Sequence, residues 1–297
     1  MRVGLHALGI GDGARPEVIR AVAQAAEAHG FSRLWAGEHV VLVDAPASRY
    51  PYSDDGRIAV PADADWLDPL LALSFAAAVT REIGLATGVL LLPEHNPVVV
   101  AKQAATLDVL SAGRLTLGVG IGWSADEFAA LGVPFTARGR RTEEYLAAMR
   151  TLWRDDVATF EGDFTRFHGV RVNPKPVRER GIPVVMGGNG AVALRRAAKI
   201  ADGWYGFNLS VAEAAECVSA LVEHGLAEHR ANPNRAVEQP VVAVALTDAT
   251  PEDLPELARV GVTEIVVVGA PPATPDEAGR WVAGLARRWL GSTGPCL

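Results

Sequence analysis

Two stretches of this 297-residue chain carry residue types suited to chemistry. The first is Glu38-His39, which directly follows the apolar run Arg33–Ala36 and borders a long loop. An imidazole titrates near neutral pH and can give or take a proton; the plainer alternative is a hydrogen-bonded loop histidine. His6 and His95 also fall near the ends of strand-like runs. The second stretch is residues 182–199. Its apolar run Ile182–Met186 stops on Gly187-Gly188-Asn189-Gly190 and turns into a helical pattern with Leu194 and Ala198 on one face. Such a turn aims several unpaired N–H groups at one spot, with roughly half a positive charge from the helix dipole. A phosphate suits that spot; a tight turn whose glycines only supply positive φ is the alternative.

Other chemistries lack their motifs. There is no HExxH and no short-span cluster of two histidines with a carboxylate, so no metal site is expected. Neither a GxSxG elbow nor a Walker loop is present, and Gly118-Val119-Gly120-Ile121-Gly122 lacks the third glycine of a dinucleotide fingerprint. The net charge of −7, without a basic block, argues against a nucleic-acid partner. No apolar run approaches the ~20 residues of a membrane span. With a strand-like Arg2–His6 at the start no signal peptide is expected, and Cys217 and Cys296 have no CxxC or ligand neighbour. A cytoplasmic protein with reduced thiols is the expectation.

These residues need elements to hold them. Short apolar runs alternate with amphipathic segments, the signature of βα units and a parallel sheet. Strands are predicted at Arg2–His6, Arg33–Ala36, Ile83–Leu92, Arg114–Gly120, Ile182–Met186, Asp202–Gly206, Pro240–Leu246 and Glu264–Val268. Helices fall between them, among them residues 138–153, 211–229 and 275–290. Eight units in a chain of this length favour a (β/α)8 TIM barrel over an open sheet. The rhythm breaks at about residues 154–181, read as an insertion after the fourth helix on the barrel's mouth; residues 1–297 are otherwise one domain. In the long Pro/Asp/Ala-rich loop at 41–66, Tyr50, Tyr52 and Trp66 could line an apolar substrate pocket or pack the loop down. Asp108 and Arg114 bracket a turn, where an ion pair or helix cap at the lower face is expected. Lys102 reads as surface, and His29, His224 and His229 as solvated helix residues. Arg138, Arg140 and Arg141 crowd a helix start, either as a solvated turn or to capture an anionic cofactor tail.

Five segments together resemble a known family: Arg33-Leu34-Trp35-Ala36-Gly37-Glu38-His39, Lys102–Asp108, Ser111-Ala112-Gly113-Arg114-Leu115, Gly118-Val119-Gly120-Ile121-Gly122-Trp123 and Asn173-Pro174-Lys175-Pro176. In this order and spacing the chain resembles the bacterial luciferase-like monooxygenase superfamily, and more narrowly its actinobacterial branch of coenzyme F420-dependent oxidoreductases. The resemblance implies a TIM barrel that transfers a hydride between F420 and a small organic substrate. It implies a third-strand bulge at Gly88-Val89, often a cis peptide, against the cofactor ring. Gly120, Gly122 and Trp123 would lie beside the cofactor, and Gly187, Gly188, Asn189 and Gly190 would hold its phosphate. Glu38-His39 would be the acid/base pair, with His6, Tyr50, Trp66 and His95 toward the substrate. The same resemblance admits an FMN-dependent monooxygenase served by a flavin reductase, or a non-catalytic cofactor-binding barrel, and it implies a homodimer. One departure stands out: the family's sugar-phosphate dehydrogenases carry a Glu after the fourth-strand glycines, whereas Trp123 stands here.

Overall fold

The computed structural model describes residues 1–225 and 239–291. The chain starts with β1 (Arg2–His6), α1 (Pro16–Ala28), β2 (Arg33–Ala36) and α2 (Pro69–Val79). It continues with β3 (Gly84–Thr87), β4 (Leu90–Leu91), α3 (Pro97–Leu110), β5 (Leu115–Gly120), α4 (Ala125–Ala130) and α5 (Arg138–Arg154). A hairpin of β6 (Ala158–Glu161) and β7 (Arg166–Val170) precedes β8 (Val184–Gly187), α6 (Ala191–Ile200), β9 (Gly203–Leu209) and α7 (Val211–Glu223). Then come β10 (Val241–Leu246), α8 (Leu254–Val260), β11 (Glu264–Val268) and α9 (Pro275–Trp289). His229, Cys296 and the end of the helix expected at 211–229 lie outside the described residues.

Eight parallel strands pair in the order β3-β2-β1-β11-β10-β9-β8-β5, and a β3–β5 pairing closes the ring. This is the (β/α)8 barrel that the alternation predicted. Its interior is filled by Trp35, Ala86, Val185, Tyr205, Ala243 and Val266, a core separate from the larger one between strands and helices. Trp35 stacks on Tyr205 with ring centroids 4.6 Å apart. Below the stack, Glu264 is fully buried, accepts from Trp35 Nε1 at 2.9 Å and pairs with Arg33. Gly4 leaves the space: a Cβ there would lie 2.5 Å from Glu264 Oε1. A buried carboxylate is tolerated only when paired and hydrogen-bonded, and this one is both.

Several expectations change. The third strand is not continuous from Ile83 to Leu92: it breaks at the Gly88-Val89 bulge that the family resemblance implied, whose peptide is cis, and resumes as β4. The short helix α4 fills what read as a loop. The insertion emerges at the lower face, not at the mouth, and only its hairpin tip reaches the head of α5, where Asp163 pairs with Arg140. Helices run opposite to the strands, so the chain leaves α5 at the lower face, where the strands begin. There Val177 N donates to Asp108 Oδ2 at 2.8 Å, Arg178 to the Gly113 carbonyl at 2.6 Å, and Lys175 to the Leu152 carbonyl at 2.7 Å. The hairpin lies against α5, whose Glu144 accepts from the N–H groups of Asp163, Phe164 and Thr165. Asp108 and Arg114 do sit at that lower face and form no ion pair with each other; the helix-cap alternative holds, since Arg114 donates to the carbonyls of Ala77 and Ser111 at the ends of α2 and α3, and also to Thr80 Oγ1 and the Ile83 carbonyl. Lys102 is exposed and bonds the Asn173 carbonyl.

The closing seam has no room for a side chain at Gly118. A Cβ there would lie 1.9 Å from the Thr87 carbonyl oxygen, and Thr87 Oγ1 donates to the Gly118 carbonyl at 2.6 Å. Gly118→Ala is expected to cost ~3 kcal/mol or more of stability, since backbone cannot yield as a flexible side chain does. Urea unfolding of the two proteins measures it; equal midpoints would show that the seam opens freely.

Candidate active site

The strand ends open into a cavity of about 710 Å³ at the upper face. That is the range of small-molecule sites. His6 from β1, His39 after β2, Gly88 and Val89 after β3, Gly187 and Gly188 at the end of β8, and Tyr205 and Phe207 of β9 all line it. The loop at 41–66 forms the outer wall with Tyr50, Tyr52, Ile58, Val60 and Trp66. It is tied down on three sides. Ser48 N donates to Asp126 Oδ2 at 2.8 Å, Asn208 Nδ2 to the Tyr52 carbonyl at 2.7 Å, and Trp66 Nε1 to the Gly37 carbonyl at 3.0 Å. Arg57 is the one Lys or Arg among the lining residues.

Glu38 and His39 are adjacent in sequence, yet each has its own partner. The Glu38 carboxylate turns to β4, accepts from Leu91 N at 2.5 Å and lies 3.1 Å from His95 Nε2. Burial opposes a charge on His95, but the Glu38 hydrogen bond and the charges of Glu38, Asp68 and Glu127 prevail and raise its pKa. His95 is therefore a structural partner of Glu38 and does not line the cavity. His39 Nδ1 lies 2.8 Å from Glu127 Oε2, while Glu127 Oε1 accepts from Val40 N at 2.7 Å and Val41 N at 3.3 Å. A carboxylate only accepts, so Nδ1 carries the proton and Nε2 is left free. Trp66 and Trp123 pack edge-on against the imidazole at 4.9 and 5.7 Å. The acid beside His39 is thus Glu127 on α4, a residue the sequence reading missed. Its signal was Ser124-x-x-Glu127, the pattern of a capping box. The backbone half forms, with Glu127 N donating to Ser124 Oγ at 3.2 Å, but the carboxylate turns to His39 instead of back to Ser124. At Ser210-x-x-Glu213 the same pattern closes both halves of the box.

At the cavity floor, Tyr205 OH lies 3.1 Å from His6 Nδ1. Burial alone lowers the His6 pKa to about 4, so the ring is neutral at pH 7. Gly120 and Gly122 stand behind the wall. A Cβ on Gly120 would meet Val89 Cγ2 at 2.6 Å; one on Gly122, where φ is +73°, would meet Phe128 at 2.5 Å and Glu94 Oε1 at 2.9 Å. Asn189 binds the backbone of Phe207 through Nδ2 at 2.8 Å, which fixes β9 against the glycine turn. Gly190 is the N-cap of α6 and supplies no side-chain cap. Glu94, also missed, is 8% exposed, and neither carboxyl oxygen has a hydrogen-bond partner among the described residues. Burial, then the charges of Glu127 and Glu38, push its pKa up to about 9. The arginines at the head of α5 are engaged: Arg138 Nε with the Gly122 carbonyl, Arg140 with Asp163, and Arg141 with the Pro134 carbonyl. His168 lies in the hairpin beside Glu161, and His224 is exposed. Among the described residues no His/Cys/Asp/Glu group could hold a metal ion, and no helix is long and apolar enough to cross a membrane.

A parallel barrel with a histidine–carboxylate pair at its upper mouth defines a class of small-molecule enzymes. Residues 3–285 match the family described as luciferase-like monooxygenase, and the chain belongs to that family. It is 37% identical over 269 residues to an uncharacterised protein of Mycobacterium tuberculosis, covering 90% of this chain and 92% of the relative. It is 32% identical over 199 residues to an FMNH2-dependent dimethylsulfone monooxygenase of Pseudomonas putida, covering 66% of this chain and 52% of that protein. The fold is similar to that of an F420-dependent secondary alcohol dehydrogenase, with a TM-score of 0.70, 18% identity, and coverage of 94% of this chain and 97% of that one.

The depressed His6 pKa sets a stability prediction. Between pH 6.5 and 4 the unfolded chain binds a proton at His6 that the folded protein refuses, so stability falls as pH falls through this window. His6→Gln abolishes that share of the acid loss, about 2–3 kcal/mol in full. Urea unfolding at pH 7 and pH 4 checks it: an unchanged acid loss in the variant would place the sensitivity elsewhere.

Proposed function

We propose that this chain transfers a hydride between coenzyme F420 and a small, largely apolar organic substrate, with His39 as the acid/base. The observation that carries this reading is the His39–Glu127 hydrogen bond at the wall of an aromatic cavity. The cavity fits a ring-and-phosphate cofactor. Gly187 and Gly188 open the wall where a larger side chain would press on Val89 and Ala193. The uncapped first N–H groups of α6 would hold the phosphate. Val89 and Trp123 would flank the ring. When bound, the deazaflavin supplies the carbon that gains or loses the hydride. His39 manages the accompanying proton at Nε2, taking it from a substrate hydroxyl or returning it to a carbonyl oxygen. Glu127 keeps the imidazole in that tautomer and offsets the charge of the imidazolium. Tyr50, Tyr52, Trp66 and Phe207 exclude water and favour an apolar substrate. With Arg57 alone among lining cations, the cavity is poorly equipped for a phosphorylated one.

The identity to the FMNH2-dependent monooxygenase supports a second reading, in which FMN fills the same cavity, a separate reductase reduces it, and the reaction is an oxygenation. A non-catalytic cofactor-binding barrel would have no use for an oriented His39–Glu127 pair.

Equilibrium binding followed by visible absorbance separates these readings. Tight F420 binding with weak FMN binding is expected; FMN binding without F420 affinity selects the second reading, and binding of neither sinks both. His39→Ala should leave cofactor affinity largely intact and lower turnover at least ~10²-fold. Full turnover in that variant would remove His39 from the chemistry.

A further inference from the structure

The cavity floor holds an N–H group that nothing around it satisfies. His6, at the end of β1, is 7% exposed and lines the cavity, with Nδ1 3.1 Å from Tyr205 OH. The Tyr205 ring is fully buried and stacked on Trp35, so its hydroxyl has a fixed aim, and His6 is its one hydrogen-bond partner among the described residues. Were Nδ1–H the donor, the phenol hydrogen would be buried without an acceptor. The phenol therefore donates to Nδ1, and the neutral ring carries its proton on Nε2. Nε2–H has no acceptor among the described residues and stays open to the cavity. Gly37 keeps it open, since a Cβ there would lie 3.2 Å from Nε2. His39 has the opposite tautomer, so one cavity is faced by an imidazole that accepts and an imidazole that donates.

We propose that His6 Nε2–H, held in that tautomer by Tyr205 as a positioning residue, binds an uncharged acceptor oxygen of the substrate, a carbonyl or ether oxygen, at the cavity floor. The proposal rests on the reading of this cavity as a substrate site and narrows the substrate to an uncharged, oxygen-bearing molecule. A pure hydrocarbon would leave the N–H dry and unpaired, which a site of this kind rejects. A carboxylate would need a cation beside it; among the lining residues Arg57 alone is one, and it belongs to the outer-wall loop. An apolar side chain in place of His6 would fill the floor but select nothing. The oxygen is the substrate's and not the cofactor's because of where His6 stands. In the ring of eight strands β1 lies four strands from β8 in either direction, so His6 is directly across the mouth from the Gly187–Gly190 turn. The Val89 methyls face the positions of Gly120 and Gly187, which leaves the Gly88 side of the bulge, 3.4 Å from His6 Cε1 at its Cβ position, to the substrate.

The test is ¹⁵N-histidine NMR of the cofactor-free protein at pH 7, with cyclohexanone and toluene as probes, for wild type, Tyr205→Phe and His6→Phe. Wild-type His6 should show a protonated Nε2 and a bare Nδ1; Tyr205→Phe, which keeps the stack on Trp35, should show a mixture of tautomers. Cyclohexanone should move the Nε2 signal saturably and toluene should not. His6→Phe should bind cyclohexanone about 3–10-fold more weakly, the loss of one neutral hydrogen bond, and keep its affinity for toluene. If His6→Phe fails to fold, Gly37→Ala gives the same comparison by crowding Nε2. A protonated Nδ1 in wild type, or an Nε2 that cyclohexanone leaves unmoved, overturns the proposal. So does an Nε2 that answers to F420 or FMN and not to the ketone, since the oxygen would then be the cofactor's. The ketone measurements use no cofactor, so their failure is distinguishable from a failure of the F420 reading, which cofactor binding decides.

Discussion

The site depends on how the barrel interior is filled. Eight parallel strands enclose a space that must be packed with side chains, and here Trp35 and Tyr205 stack across it with Glu264 and Arg33 beneath. That stack is the floor. It carries the Tyr205 hydroxyl to His6 and leaves the volume above it to the cavity. The small residues Ala86 and Ala243 are the complement of the large Trp35 and Tyr205. Ala86 pairs in register with Trp35 and Ala243 with Tyr205, so each large ring has a small neighbour on the adjacent strand.

Above the floor, the electrostatics are arranged in pairs. Each histidine at the upper rim is matched to one carboxylate, His39 to Glu127 and His95 to Glu38, while His6 at the floor is paired with a neutral hydroxyl. Burial holds His6 toward the neutral form, and the carboxylate beside His95 favours its charged form. The two carboxylate pairs come from three elements, so the loop after β2, the turn after β4 and the short α4 must all be set on the closed barrel before both exist. The cover from residues 41–66 then shields His39 through Trp66, while its Tyr50 packs on Trp123, the second ring against the imidazole.

Much of the fold was legible because periodicity reports it. Four-residue and five-residue strands such as Arg33–Ala36 and Glu264–Val268 were readable to the residue, bounded by polar and glycine signals. Strand three was not readable from its apolar run, which shows no break; only the family resemblance marked the bulge at Gly88-Val89 where it divides. The placement of the insertion failed for a different reason. A break in the alternation does not say at which end of the barrel a segment emerges; the direction of α5 decides that. Of the site, His39 and the glycine turn were legible as strand-end residues. Glu127 was hidden under a capping pattern, and Glu94, between Pro93 and His95, carries no motif.

The sequence by itself determined the alternation of eight strands and helices, the positions of the strand ends and the residues available there. Those properties are local: they follow from apolar spacing, caps and turns within a dozen residues. Only the tertiary structure decided which carboxylate serves which histidine. Neighbouring side chains at a strand end point to opposite sides, so Glu38 and His39 part company. Partners 88 residues apart for His39 and 57 apart for Glu38 meet only when the barrel closes.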